Sequence, residues 1–206
     1  MGHEVRSVRE LFEDSLSLYN DVVEGQNEYS AATLLKNLED GITNLKENWG
    51  GKDAGVQINN IVTVYNGFVG VRNALGLLAS SASHVAADYR EIQNKNGAGE
   101  EQFNPVNSQD RTRMAEHSDN RDTIDIKPDV TNGQAKVNSV RNSFDSFVTN
   151  CQQKCNLILE NWTRGDQNRE SAKNAIENFY AGANTYKELL NQACDSLDTA
   201  IRNYNM

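Results

Sequence analysis

Cys151 and Cys155 stand four residues apart, a spacing that sets two side chains one turn apart on the same face of a helix. Two thiolates placed in this way are half of a tetrahedral metal site. Neither the third cysteine, Cys194, nor any of the histidines, His3, His84 and His117, lies near the pair in sequence. A free cysteine also packs as a small apolar residue, and 151 and 155 fall on an apolar stripe. The pair therefore reads as core, with no metal and no cofactor. Asp88 and Glu91 flank Tyr89 and are the nearest approach to paired acids. They read as a solvated helix face. No acid, base and nucleophile pattern surrounds any histidine, and there is no glycine-rich phosphate loop. Catalysis is not expected. Two short motifs complete the inventory. Arg164-Gly165-Asp166 spells an integrin-recognition tripeptide, and Asn161-Trp162-Thr163 spells a glycosylation sequon. Both fall where a turn is expected, and the first reads more simply as a helix stop followed by a cap.

The elements that carry these residues are marked by a repeat. Glu47-Asn48-Trp49 recurs as Glu160-Asn161-Trp162, and these tripeptides hold both tryptophans of the chain. Each closes one stretch of helical hydrophobic spacing and opens another. Phe12, Leu16, Tyr19 and Val23 begin a four-three pattern. It fades through Gln26 and Ser30 and resumes at Leu35, Leu38, Ile42, Leu45 and Trp49. The spacing predicts one long helix from about residue 4 to 48. Gly50-Gly51 ends it, and Asp53 is placed to cap the next helix.

That second helix carries Ile61, Tyr65, Phe68, Val71, Leu75, Leu78, Ala82, Val85, Tyr89 and Ile92, with a three-residue change of register after Phe68. It is rich in small residues, among them Gly67, Gly70, Ala74, Gly76 and Ala79. Small residues let another helix approach closely. Its most apolar stretch, Ile61 to Ala79, is interrupted by Asn66, Arg72 and Asn73, so it reads as a core helix rather than a membrane span. A third helix follows Pro128-Asp129 through Val137, Val140, Phe144, Phe147, Cys151, Cys155, Ile158 and Trp162. Gly165 breaks it and Asp166 caps a fourth, which runs through Ala172, Ile176, Phe179, Ala183, Tyr186, Leu190, Ala193, Leu197, Ile201 and Tyr204. The halves correspond beyond their tripeptides: Asp53 matches Asp166, Tyr65 matches Phe179, and Tyr89 matches Tyr204.

The expected fold is all-α: two long antiparallel helical hairpins packed as an elongated four-helix bundle. The division is 1–96 for the first hairpin, 97–127 for a polar linker and 128–206 for the second hairpin. The linker is read as irregular, with a short helix around Ser108 to His117. If the hairpins pack antiparallel, it must cross roughly 50–60 Å, which its 31 residues can span. The hydrophobic fraction of 37% suits narrow helical seams. The net charge of -9 argues against nucleic acid as a partner. The first twenty residues have no continuous apolar core, so no cleavable signal peptide is expected.

A roughly 90-residue helical hairpin bent at Trp-X-Gly resembles the WXG superfamily, the ESAT-like substrates of bacterial type VII secretion. Trp49-Gly50-Gly51 fits the motif. Trp162-Thr163-Arg164-Gly165 is one residue longer. The resemblance covers about 170 of the 206 residues, all but the linker. It implies a dimer of hairpins made covalent, with intramolecular pairing of the two halves. It implies synthesis in a bacterial cytoplasm and export to the cell surface or medium. The family's export signal, a tyrosine followed four residues later by an acid, is not matched, because Tyr89 is followed by Gln93 and Tyr204 is too near the end. The resemblance then implies travel with a partner that supplies the signal. Partners would be the secretion ATPase, read at the exposed loop beside each tryptophan, or the helical domain of a co-secreted effector, docked on the small-residue helix at Tyr65, Phe68, Gly70, Gly76 and Tyr89. Two other readings stand beside this one: a membrane-active helical bundle acting through Ile61 to Ala79, and a structural bundle whose tryptophans only plug the hairpins.

Overall fold

The computed structural model describes residues 2–162 and 166–204, with side chains from residue 8 onward. The fold is all-α. Helix α1 (Gly2–Ser17) passes into one wide π-type stretch (Leu18–Val23), and α2 (Ala31–Asn48) continues the same arm. A two-residue strand β1 (Trp49–Gly50) turns the chain into α3 (Lys52–Lys95). A long connection leads to β2 (Asp125–Ile126), then α4 (Val130–Asn161) and α5 (Gln167–Tyr204). The first arm and α3 make one hairpin, and α4 and α5 make the other. At 1.5 Å per residue, the 44 residues of α3 run about 66 Å, the length of the bundle.

The first arm is not the single helix that its spacing predicts. The backbone widens at Leu18–Val23, where Glu24 N–H donates to the Tyr19 carbonyl at 2.8 Å, and this register keeps Leu18, Val22 and Val23 all buried. The chain then leaves the helix until Ser30, whose hydroxyl accepts from Thr33 N–H at 3.2 Å and donates to the Gly25 carbonyl at 2.5 Å. Serine so placed satisfies one of the free N–H groups that begin α2. The fading of hydrophobic spacing at residues 26–30 marks this interruption.

Four long arms pack around one continuous core that draws on every helix. The two hairpins are antiparallel, with their Trp turns at opposite ends. Asn44 Oδ1 accepts from Gly133 N–H at 2.9 Å where α2 ends and α4 begins, and Asn161 donates to Asp14 at 2.7 Å where α4 ends beside α1. On the other side, Ser196 meets Gln57, Tyr186 donates to the Val64 carbonyl at 2.9 Å, and Tyr89 meets Asp166, so α5 descends along α3. Phe68 lies at the centre of this interface. Its ring is 5.0 Å from Phe147, 5.6 Å from Tyr186 and 6.3 Å from Phe144, centroid to centroid.

The antiparallel arrangement sends the connection back along the whole length of α3. It makes no helix at Ser108 to His117; it is an extended strap. Its far end pairs with the first turn, Trp49 opposite Ile126 and Gly50 opposite Asp125 in antiparallel register. Lys127 N–H then donates to the Asn48 carbonyl at 2.8 Å, which sets the start of α4 against the end of α2.

Candidate functional site

Three places hold the residues singled out by sequence: the two Trp turns and the outward face of α3. At the first turn, Trp49 is extended and Gly51 takes φ 109°, a backbone region that favours glycine over other residues. Gly51 N–H donates to Asp119 Oδ2 at 2.9 Å, and Lys52 N–H donates to the Arg121 carbonyl at 3.1 Å. A side chain on Gly50 would collide with the Arg121 guanidinium, and one on Gly51 would meet the Thr123 carbonyl oxygen at 2.7 Å. Gly51 is therefore needed for the strap to lie over the turn, whereas a side chain on Gly50 would displace only the end of the flexible Arg121 side chain. The Asp119 carboxylate also takes Nε and Nη2 of Arg121 at 2.9 and 2.6 Å. Arg121 first, and then the Gly51 N–H, hold that carboxyl well below its usual range.

Trp49, Gly50 and Gly51 are all buried. The sequence reading of an exposed loop beside a buried anchor fails here, because strap residues 119–126 cover the loop as well. Gly51, not Asp53, is the N-cap of α3. Asp53 sits in the first turn, where a carboxylate still suits the positive end of the helix dipole, and its side chain accepts the Tyr204 hydroxyl at 2.5 Å.

The second turn has a different solution. Trp162 is 2% exposed. Its indole N–H donates to Asp166 Oδ2 at 3.2 Å, and its carbonyl accepts Arg169 Nε at 3.1 Å. Asp166 precedes α5 and accepts Asn168 N–H at 2.7 Å, so it binds the open end of the helix and the tryptophan together. By contrast the Trp49 indole N–H is buried and finds no acceptor among the described residues. Gly165, and with it the Arg164-Gly165 portion of the Arg-Gly-Asp tripeptide, lies outside the described residues.

The two ends are tied reciprocally. Tyr89, from the first hairpin, donates to Asp166 of the second at 2.5 Å. Tyr204, from the second hairpin, donates to Asp53 of the first. The Tyr204 ring also meets Trp49 edge-on, 6.0 Å between centroids. The repeat seen in sequence thus closes on itself: each tyrosine bonds the acid that is its own repeat's counterpart in the other half.

The residues Tyr65, Phe68, Gly70, Gly76 and Tyr89 do not form one docking face. Tyr65 and Phe68 are buried in the core. Gly70 is open, with nothing within 4 Å of where a Cβ would stand, and Gly76 lies beneath Ser108 of the strap. Tyr89 is committed to Asp166. The small residues admit two different neighbours: Gly76 the strap, and Gly67 the Tyr186 ring of α5.

Sequence reasoning missed how that strap is held. Asn59, Asn66 and Asn73 recur at seven-residue intervals on α3, and each pairs with one strap residue through both halves of its carboxamide. Asn59 donates to the His117 carbonyl and accepts His117 N–H, both at 2.7 Å. Asn66 does the same with Met114 at 3.0 and 2.7 Å, and Asn73 with Arg111 at 3.1 and 2.9 Å. Further along, Ser80 donates to the Val106 carbonyl at 2.9 Å and Ser83 accepts Val106 N–H at 3.1 Å. Between these rungs, the buried Arg72 bonds the Gln109 carbonyl and pairs with Glu24. The two asparagines and the arginine that interrupt the apolar stretch Ile61 to Ala79 are thus the groups that fasten the strap and the first arm to it.

The remaining chemical candidates are dispersed. Cys151, Cys155 and Cys194 are free and buried. Burial pushes the Cys155 thiol up to about 12 and Cys194 to about 11, and raises Cys151 as well. Protonated thiols are poor metal ligands, and no group of three or more metal-ligating side chains occurs among the described residues. His84 bonds Asn107 and His117 serves the ladder through its main chain. The His3 side chain lies outside the described ones. Asp88 and Glu91 line an open cleft of about 700 Å³ with Arg90, Lys95 and Glu100. Comparison of the chain with protein-family models, with curated proteins and with solved structures gives no match.

Proposed function

We propose that this chain is a secreted or secretion-associated interaction protein of a bacterial type VII apparatus, acting as an exported substrate or as an adaptor for a co-secreted effector. The observation that carries the reading is the Trp49-Gly50-Gly51 bend at the tip of a long helical hairpin, set against a second Trp-bent hairpin in antiparallel register. The arrangement is that of two WXG-like hairpins paired as a dimer and joined by a covalent strap. The surfaces that such subunits use to recognise each other are spent inside the molecule, on Phe68 and its aromatic neighbours and on the two Tyr–Asp ties. A secretion ATPase or an effector's helical domain would then have to engage outer surfaces or a turn freed of its cover. The Trp49 turn is buried under residues 119–126, so machinery that reads it must first displace that cover.

The test is a blot of culture supernatant from a wild-type strain and from one lacking the secretion ATPase, with a cytoplasmic marker as control for lysis. The protein is expected outside the first strain and not outside the second. Equal amounts outside both, without lysis, sink the reading. Membrane action through Ile61 to Ala79 has less support. The helix Lys52–Lys95 is long and apolar enough to span a bilayer, but that stretch carries the buried Arg72–Glu24 pair and the asparagine rungs, all engaged within the fold. A structural bundle without a secretion role is the outcome left if export fails.

A further inference from the structure

The asparagine rungs of α3 recognise main chain and nothing else. An asparagine carboxamide presents one acceptor and one donor side by side, as a peptide group does. Asn59, Asn66 and Asn73 therefore act on the strap as a neighbouring β-strand would, each exchanging two hydrogen bonds with one residue. The registers agree. Seven helical residues advance about 10.5 Å, and three extended residues advance about 9–10 Å. The paired positions on the strap, 117, 114 and 111, are accordingly three apart, running opposite to the helix.

The strap's side chains are only partly buried. Between residues 106 and 118 no residue is fully buried: Val106 and Met114 pack part-buried against the core, Ser108 faces Gly76 and Asn107 bonds His84, while 112, 113, 115 and 116 are exposed. At the three rungs the strap is held by hydrogen bonds that any residue except proline can make, backed by partial burial of Val106 and Met114 and no fully buried side chain. Segments with few buried apolar contacts open at a lower free energy than the core.

We propose that this face of α3 is a binding site for extended polypeptide, occupied in cis by the strap and available, when the strap lifts, to an extended polar segment of a partner protein. The ligand is a stretch of about a dozen residues in strand-like conformation, read through its backbone amides and free of proline at every third position. Arg72 adds a further backbone contact, because its guanidinium bonds a carbonyl of the bound chain beside the Asn73 rung. The site and the Trp49 turn share one cover, since the strap that fills the rungs continues into residues 119–126. The inference does not depend on export.

The test uses full-length protein in which Arg111→Pro, Met114→Pro and His117→Pro remove the three strap donors and leave α3 untouched. A fluorescent peptide of residues 105–119 is titrated against it, and binding is read by anisotropy. The peptide is expected to bind this variant at least about tenfold more tightly than wild type, whose own strap competes. Adding Asn66→Asp and Asn73→Asp, which turn a donor into a repelling acceptor at two rungs, is expected to weaken binding by at least about tenfold. A peptide shuffled at every position except 106, 107, 111 and 114 should bind within about threefold of the original, and one N-methylated at the three rung positions should not bind, because the rungs need the backbone donors. Failure of the peptide to bind a variant that circular dichroism shows to be folded overturns the proposal, as does binding indifferent to the asparagine changes.

Wild-type hydrogen exchange gives a second reading that needs no variant. The amides of residues 111, 114 and 117 are expected to exchange at least about a hundredfold faster than those in the middle of α4, yet slower than in the free peptide. Exchange at the rate of the α4 core means that the strap leaves only when the whole fold does, and that also overturns the proposal.

Discussion

Gly41 and Gly133 face each other where α2 crosses α4. A Cβ built on Gly133 falls 3.0 Å from the Gly41 carbonyl oxygen and 2.8 Å from Asn44 Oδ1, and one built on Gly41 falls 3.1 Å from the Gly133 carbonyl and 2.8 Å from a Val137 methyl. The backbones are in contact because neither residue has a side chain. Gly133→Ala must part the helices or break the Asn44 bond to residue 133. A net destabilisation of about 1–3 kcal/mol is expected from overpacking, partly offset by the helix propensity of alanine, about 1 kcal/mol. Gly70→Ala has only the propensity gain, since nothing lies near its Cβ. Denaturant melts of the two variants should move in opposite directions. A Gly133→Ala protein as stable as wild type would show that the crossing is looser than described.

The Arg72–Glu24 pair gives an unequal prediction. Arg72 has 3% of its side chain exposed, whereas Glu24 keeps 32%. Removing the carboxylate leaves a guanidinium without its counter-charge in the interior. Removing the guanidinium leaves a carboxylate that water can reach. Breaking a buried pair from the inner side costs about 3–5 kcal/mol, so Glu24→Ala should approach that range and Arg72→Met should cost clearly less. Equilibrium unfolding of the two single variants decides. The reverse order would mean that Glu24, not Arg72, is the less hydrated partner.

Tyr89→Phe and Tyr204→Phe each delete one reciprocal tie. Both hydroxyls sit near solvent at the ends of the bundle, so each change should cost no more than about 1 kcal/mol. The ties stand at opposite ends of the molecule and share no partner. The double variant should therefore lose the sum of the single losses, within about 0.5 kcal/mol. A larger combined loss would reveal coupling through the bundle.

The cysteines set an alkaline limit. Folding raises the thiols, with Cys155 at about 12 and Cys194 at about 11, above the unfolded value of about 8.5. The folded protein keeps these protons while the unfolded chain gives them up. Their contribution is fully present below pH about 8.5 and is lost as pH rises toward the folded values, at up to about 1.4 kcal/mol per pH unit for each cysteine. Native protein at pH 8 should react slowly with a thiol reagent and release all three thiols only in denaturant. A serine or alanine replacement of Cys155 should flatten the decline in stability between pH 9 and 11. Prompt labelling of one thiol in the native state would show that it is reached without unfolding.

The second hairpin could be read almost entirely from spacing. Val137, Val140, Phe144, Phe147, Cys151, Cys155, Ile158 and Trp162 are all buried, as their four-three pattern predicts. The length of the connection made the antiparallel packing feasible without deciding it. Other features left weaker traces. The interruption before Ser30 shows in the sequence only as a fading of hydrophobic spacing, because what holds it is one hydroxyl that accepts from Thr33 N–H and donates to the Gly25 carbonyl. Asn59, Asn66 and Asn73 repeat every seven residues in plain view, but on an apolar helix they look like defects, because their partner is main chain and main chain has no sequence signature. The cover over the Trp49 turn was hidden for a related reason. Asp119 and Arg121 look like ordinary linker charges until the fold brings them to Gly51 and Gly50.

The strap also changes how the assembly responds to dilution. A pair of separate hairpins obeys mass action, and its fraction assembled falls as the concentration drops. Hairpins joined along α3 meet at an effective concentration fixed by the tether, about millimolar for a flexible one. Pairing is then a unimolecular equilibrium, the same at one copy per cell as in a concentrated solution, and the one-to-one ratio of the halves is set when the chain is made.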